Sequence, residues 1–310
     1  MFRFSSSMGG KTMQQDYLLE LDGKPAGRLF GFSGGAVEAD VVTERVADGN
    51  ISGKHIANTR IQDIVLKCGT GMSHAFYDWI GKSFGGAAER KGGAIVKLDQ
   101  KQQEAGRLEF QDAIAKSLSL PELSKGSNAD AVLTVSISPE LTRSKAGGGK
   151  ASLGVYVSAL PSAWNVGSFR MTIPGFETVT ANISKIDAMT LGLKVVDDTI
   201  GQKRLPAKLA GKIDYPNLTF YIPEAHADKL YDWFEDFVVK GNNLNSSEKM
   251  GTIEYFAPTS AKAYFTLNCK NLGIFAIKSE SGMRTKTMQP VTVSLYCESM
   301  NFSAGAAAIK

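Results

Sequence analysis

Apolar positions recur every second residue along most of this chain, and only two short stretches shift to a helical period. Near the start, Tyr17, Leu19 and Leu21 alternate with Leu18 and Glu20, the pattern of a half-buried strand. Asp22-Gly23 then supplies a turn. From Phe32 to Ala57 the sequence is long, polar and Gly-containing, with β-branched pairs such as Val41-Val42, and it predicts an extended hairpin or loop that projects from the domain. A strand is expected over Ile61–Cys68 and is broken by Gly69-Thr70-Gly71. Ser73 then caps a short helix with Phe76, Trp79, Ile80 and Phe84 on one face, and Gly85-Gly86 closes it. Further strands are expected over Ala94–Leu98, Arg107–Phe110, Ala113–Leu120 and Val132–Ser138.

The same order returns in the second half. Phe76-Tyr77-Asp78-Trp79-Ile80 reappears as Leu230-Tyr231-Asp232-Trp233-Phe234. Ile64, Leu66 and Cys68 align without a gap on Leu218, Phe220 and Ile222, and Leu133, Val135 and Ile137 on Val291, Val293 and Leu295. Other expected strands are Phe169–Ile173, Thr252–Phe256, Tyr264–Leu267 and Gly273–Lys278. A repeat at half the chain length is the size of a domain, too long for a solenoid unit. The expected fold is mainly β, two tandem domains, each a small barrel or sandwich with one helix packed on it. Phe76, Trp79 and Ile80 anchor the first helix, and Leu230, Trp233 and Phe234 the second. Lys145-Ala146-Gly147-Gly148-Gly149-Lys150 is a flexible linker by composition. The expected division is 1–145, a linker over 146–165, and 166–310.

Composition narrows the classes. The 310 residues suffice for two cores, and the net charge of +4 divides evenly between the halves without a basic arm. Cys68, Cys269 and Cys297 are odd in number and lack CxxC spacing, which argues against a disulfide framework and for synthesis in a reducing compartment. The N-terminus lacks the apolar run of a signal peptide, and no stretch reaches 18 consecutive apolar residues. A soluble protein made in the cytoplasm is expected.

Candidate chemistry is sparse. Gly10-Lys11-Thr12 suggests a phosphate loop, but Ser5 stands where that motif needs its first Gly. His55, His74 and His226 show no metal-ligand spacing. Asp197-Asp198 and Glu235-Asp236 are acidic pairs, yet Gly81 and Lys82 align with the latter, so the halves share no acid site. Tyr and Trp of the repeated helix are placed to pack rather than to stack a ligand. No acid, base, nucleophile or metal set emerges; the chain is read as no enzyme, with no cofactor.

One resemblance remains. Asp16-Tyr17-Leu18-Leu19-Glu20-Leu21-Asp22-Gly23, then Gly31-Phe32-Ser33-Gly34, resembles the opening of the tail-tube proteins of contractile phages and related injection machines. Ser52-Gly53-Lys54-His55, the strand Ile61–Lys67, the Phe76–Ile80 helix and the segment Arg90–Leu98 follow in the family's order. The resemblance covers most of residues 16–140. The second half keeps the Tyr-Asp-Trp helix but has Ile183-Ser184-Lys185 in place of the Gly-Phe-Ser segment.

That resemblance implies small barrels with one helix, six to a ring around a channel, with rings stacked through the long loop. Here the loop is Val37 to His55, and its candidate stacking residues are Glu44, Arg45, Asp48, Lys54 and His55. The implied protein is a structural tail or inner-tube component of a phage or contractile injection system, located in the virion tail or injection particle. It serves as a passive conduit for DNA or effector. Its implied partners are further copies of itself, as trimeric pseudo-six-fold or hexameric rings, together with sheath, baseplate or terminator proteins. Two alternatives accompany this reading. One is a baseplate hub or tube initiator that adapts a six-fold tube to a three-fold spike. The other, from a different class, is a duplicated carbohydrate- or peptide-binding sandwich using Tyr77, Trp79, Tyr231 and Trp233; it requires exposed aromatics.

Overall fold

The computed structural model describes residues 16–45, 52–148, 164–199, 205–256, 262–279 and 290–306. Gly10-Lys11-Thr12 and Asp48 lie outside them. The first half runs β1 (Tyr17–Leu21), β2 (Lys24–Gly34), β3 (Val37–Arg45), β4 (Ser52–Ile61), β5 (Ile64–Met72), α1 (His74–Phe84), β6 (Lys91–Leu98) and β7 (Glu104–Leu120). It continues through β8 (Leu123–Ser124), β9 (Leu133–Ser138) and β10 (Leu141–Ala146). The second half runs β11 (Phe169–Thr172), α2 (Glu177–Thr180), β12 (Lys185–Ile186), β13 (Met189–Asp198), β14 (Ala207–Asp214) and β15 (Leu218–Pro223). Then come α3 (Asp228–Phe234), β16 (Lys249–Phe256), β17 (Ala263–Ser279) and β18 (Pro290–Ala304).

In the first half, β1, β6, β7, β9, β5 and β2 pair in that order, and β2 returns to β1, closing a six-stranded barrel. Closure depends on the β1–β2 hairpin. Its two turn residues, Asp22 (φ 49°) and Gly23 (φ 74°), are both left-handed, the twist that matches a tight hairpin. The second half pairs β11, β16, β17, β18, β15 and β12 in the corresponding order and adds β8 at its end. Here the chain passes from β11 to β12 through α2 instead of a hairpin, and the barrel-like sheet stays nearly but not fully closed.

Several expected boundaries move. The strand expected over Ile61–Cys68 is two strands, because β4 ends at Ile61 and β5 begins at Ile64. Arg107–Phe110 and Ala113–Leu120 are parts of one bent strand, β7. The bend falls at Asp112 (φ 50°), and β17 bends likewise at Asn271 (φ 54°). Asp and Asn tolerate this left-handed geometry better than other non-Gly residues. The bend lets the first part of β7 pair with β10 and the second part with β9.

The two halves share one continuous core. Leu19, Ile64, Leu66, Leu133 and Val135 fill the first barrel, and Leu218, Phe220, Ile253, Val293 and Leu295 the second sheet, all fully buried. Within the stretch read as linker, Ala146 closes β10, residues 149–163 lie outside the described part, and Trp164 is buried against Tyr255 and Phe265.

Candidate assembly interface

The repeated helices serve packing. Ser73 caps α1 by accepting from the Phe76 N–H at 3.3 Å, and Phe76, Trp79, Ile80 and Phe84 are buried. Trp79 is 1% exposed and donates its indole N–H to the Glu89 carbonyl at 2.8 Å. In the second half Leu230 and Trp233 are buried, while Phe234 is half-buried against the core. The helix then widens into a π turn over Glu235–Val239, with Phe237 buried. Tyr77 is also buried, and Tyr231 half-buried. Tyr77, Trp79 and Trp233 therefore present no open face on which a sugar or peptide could stack. Asp78 and Asp232 sit in mid-helix and are exposed to solvent.

β3 and β4 form a two-stranded sheet of their own, standing off the barrel. Its strands are joined by ion pairs: Arg60 reaches Asp40 at 2.8 Å and Glu38 at 3.2 Å, and both raise the guanidinium further above its ordinary range. Towards the tip, His55 lies 3.8 Å from Glu44, and Lys54 is exposed. Arg45 ends β3, opposite Ser52. Val41 and Ile56 face each other and are each 63% exposed, an unusual apolar pair to leave in water. The structure thus brings Glu44, Lys54 and His55 together on one arm; what that arm touches is a separate matter.

The corresponding arm of the second half, β13–β14, does touch something. Its base joins the first barrel's sheet, with Met189, Thr190, Leu191 and Gly192 opposite Leu120, Ser119, Leu118 and Ser117 of β7. The Lys208 N–H on β14 donates to Glu140 at 2.8 Å, Arg90 donates to the Lys208 carbonyl, and Lys208 Nζ reaches Asp197 at 2.6 Å. A shallow cleft of about 490 Å³ runs along this joint, lined by Asp63, Lys116, Lys194, Lys212 and Asp214 among others. Nearby, α1 lies on β18: Tyr77 packs on Phe265 and Phe302, and Tyr215 donates its hydroxyl to the Phe84 carbonyl at 2.8 Å. Sequence reasoning left 189–214 unassigned. The alternation of Met189, Leu191 and Leu193 with Thr190 and Gly192 carried a strand signal, though nothing in it named the first barrel as partner.

Among the described residues no three His, Cys, Asp or Glu side chains are grouped so as to hold a metal ion. Cys68 is buried and its thiol is pushed well up by desolvation. Burial, with the Glu248 carboxylate accepting its hydroxyl at 2.7 Å, pushes Tyr296 up to about 12. None of the described helices is long and apolar enough to cross a membrane, which leaves membrane β-barrels unaddressed.

The geometry is that of a scaffold: a closed barrel, a packing helix, and arms that either continue a neighbouring sheet or stand free. Residues 14–142 match the family described as T4-like virus tail tube protein gp19, so the first barrel carries a tail-tube domain. That family gives the domain a structural part in a tail or tube. Among solved structures, the chain is similar to the sheath–tube complex of an extracellular contractile injection system, PVC, in the extended state, with 19% identity over 46% of this chain and 99% of that one and a TM-score of 0.37. The tube-terminating cap of the anti-feeding prophage shows 18% identity over 47% and 97%, TM-score 0.37. Hcp1 from Flavobacterium johnsoniae shows 12% identity over 44% and 96%, TM-score 0.27. No curated protein matches the chain.

Proposed function

We propose that this protein is a structural, ring-forming component of a phage tail or phage-derived contractile injection system, and that its domains surround a channel for DNA or effector. The observation that carries the reading is the seat of β13–β14 on β7. A sheet edge covered by an arm from the next domain is how a ring of barrels removes its exposed edges. The two halves then stand side by side in one layer, and three chains supply the six domains of a ring. The matching strand orders of the two sheets support a tandem duplication. In this reading the tip of β3–β4, with Glu44, Arg45 and His55, meets the adjacent ring, while Lys54 faces the neighbouring chain within its own ring. Sheath, baseplate or terminator proteins bind outside, the protein resides in the virion tail or injection particle, and it catalyses no reaction.

A second reading is favoured by the difference between the halves. The first barrel is closed and the second sheet open between its end strands β11 and β8, so a ring of three such chains has three-fold rather than six-fold symmetry. A hub or tube initiator between a six-fold tube and a three-fold spike needs that symmetry.

Negative-stain microscopy of the purified protein tests both. Stacked tubes support the main tube component, and isolated rings support the hub. A dispersed monomer at high concentration overturns the ring reading.

A further inference from the structure

Within the chain, one side of the first domain grips one side of the second through β7, Arg90, Glu140 and α1. The two remaining sides repeat the arm and its receiving strand in register. The arms correspond: Val41 stands opposite Ile56 as Val195 stands opposite Ala210, and each pair follows a bulge, between Ala39 and Val41 or between Leu193 and Val195. The receiving strands correspond as well. β17 bulges between Ile274 and Ala276 as β7 does between Ala115 and Ser117. On β7, the edge turned away from β9 is covered by β13 at Ser117–Leu120. On β17, the matching edge at Ala276–Ser279 has no strand on it among the described residues; β18 pairs the other side and β16 stops at Leu272.

We propose that this open edge of β17 receives the base of the β3–β4 arm from a second copy of the chain, in the register that β13 uses on β7. Val37 of one copy then stands opposite Ile277 of the next, as Leu191 stands opposite Leu118. The inference rests on the ring reading and specifies its interface. Such a head-to-tail contact uses a different surface on each partner, so it closes into a ring when the rotation permits.

Charge and apolar surface agree with the placement. Lys54 on β4 corresponds to Lys208 on β14, and it has no ion-pair partner among the described residues. Inside the chain, Glu140 and Arg90 meet the backbone N–H and carbonyl of Lys208 while its ammonium pairs with Asp197. The first arm has Thr43 at the position of Asp197, which leaves the Lys54 ammonium to turn to the residues that stand at the positions of Arg90 and Glu140, namely Glu248 and Glu298. Both are acidic, and Glu248 holds one carboxylate oxygen buried with no hydrogen-bond partner. A cation arriving on the arm of the next copy completes that site. Val238, which corresponds to Phe84, is 41% exposed, whereas Phe84 is covered inside the chain by the second half.

Paired cysteines test the register in the full chain. The native Cys68, Cys269 and Cys297 are buried and unpaired, so background cross-linking is low. Oxidised Val37→Cys/Ile277→Cys protein is expected to run on a denaturing gel as chain-to-chain multimers, because opposed positions bring Cβ atoms to disulfide range. Val41→Cys/Ile277→Cys, out of register, is expected to stay monomeric. Lys54→Glu and Glu298→Lys, both at exposed positions, should each raise the concentration for half-assembly about tenfold, and together restore it to within about threefold. Rings seen by microscopy without the Val37–Ile277 cross-link overturn this interface and leave the ring reading intact. Chains that never assemble overturn both.

Discussion

Gly81 of α1 lies so close to β18 that a Cβ on it would stand 2.3 Å from the Phe302 carbonyl oxygen. No side chain fits that gap, so this glycine sets the distance between the helix of the first half and the sheet of the second. The aligned position in the second half is Glu235, exposed and paired with Lys240 at 3.1 Å. The same helical site thus forms a tight dry joint inside the chain and a wet surface at its far side.

Gly81→Ala gives the sharpest stability contrast. On an exposed helix face the change would stabilise by about 0.5–1 kcal/mol. Here overpacking against a backbone carbonyl is expected to destabilise by about 1–3 kcal/mol. Urea unfolding of the variant checks the sign, and a raised midpoint would contradict the joint described above.

The two tryptophans should separate in the same assay. Trp79 donates to the Glu89 carbonyl, whereas the Trp233 indole N–H is buried without an acceptor. Trp79→Phe is expected to cost about 1–2 kcal/mol in lost bonding and packing. Trp233→Phe removes a buried unsatisfied donor and should be neutral or slightly stabilising. Equal losses at both positions would show that packing alone decides.

Acid should weaken the protein partly through Glu104. The hydrogen bonds from Arg107 hold this carboxyl below its ordinary range, despite some opposing desolvation. A carboxylate depressed in the folded state contributes stability that is present above the unfolded value, about 4.3, and is lost as pH falls through the folded one. Glu104→Gln is expected to flatten the acid limb of the stability curve and to cost about 0.5–1 kcal/mol at neutral pH. A variant with an unchanged acid limb would remove Glu104 from the account.

Much of this architecture is legible in the sequence, because burial imposes a period. Ile64, Leu66 and Cys68, and their partners Leu218, Phe220 and Ile222, alternate cleanly since one face of each strand meets the core. The α1 face reads well for the same reason. The β2 strand does not, since Gly27, Gly31 and Gly34 interrupt its pattern. β7 reads as two strands because Gln111-Asp112 breaks the alternation, although the chain bends there and continues. The arms are harder still. β3–β4 announces itself as a projecting hairpin, yet the partner of β13 lies some seventy residues earlier in the chain, and pairing across that distance leaves no local trace.

The central claim is that two side-by-side tube-like domains per chain assemble head to tail into a ring. Mass measurement of the assembled particle together with its symmetry in cryo-electron microscopy tests this most directly. The account predicts three copies of the 33.3 kDa chain in a ring of six lobes with three-fold symmetry and an open centre. A ring of six chains with six-fold symmetry, or a particle without a channel, would contradict it.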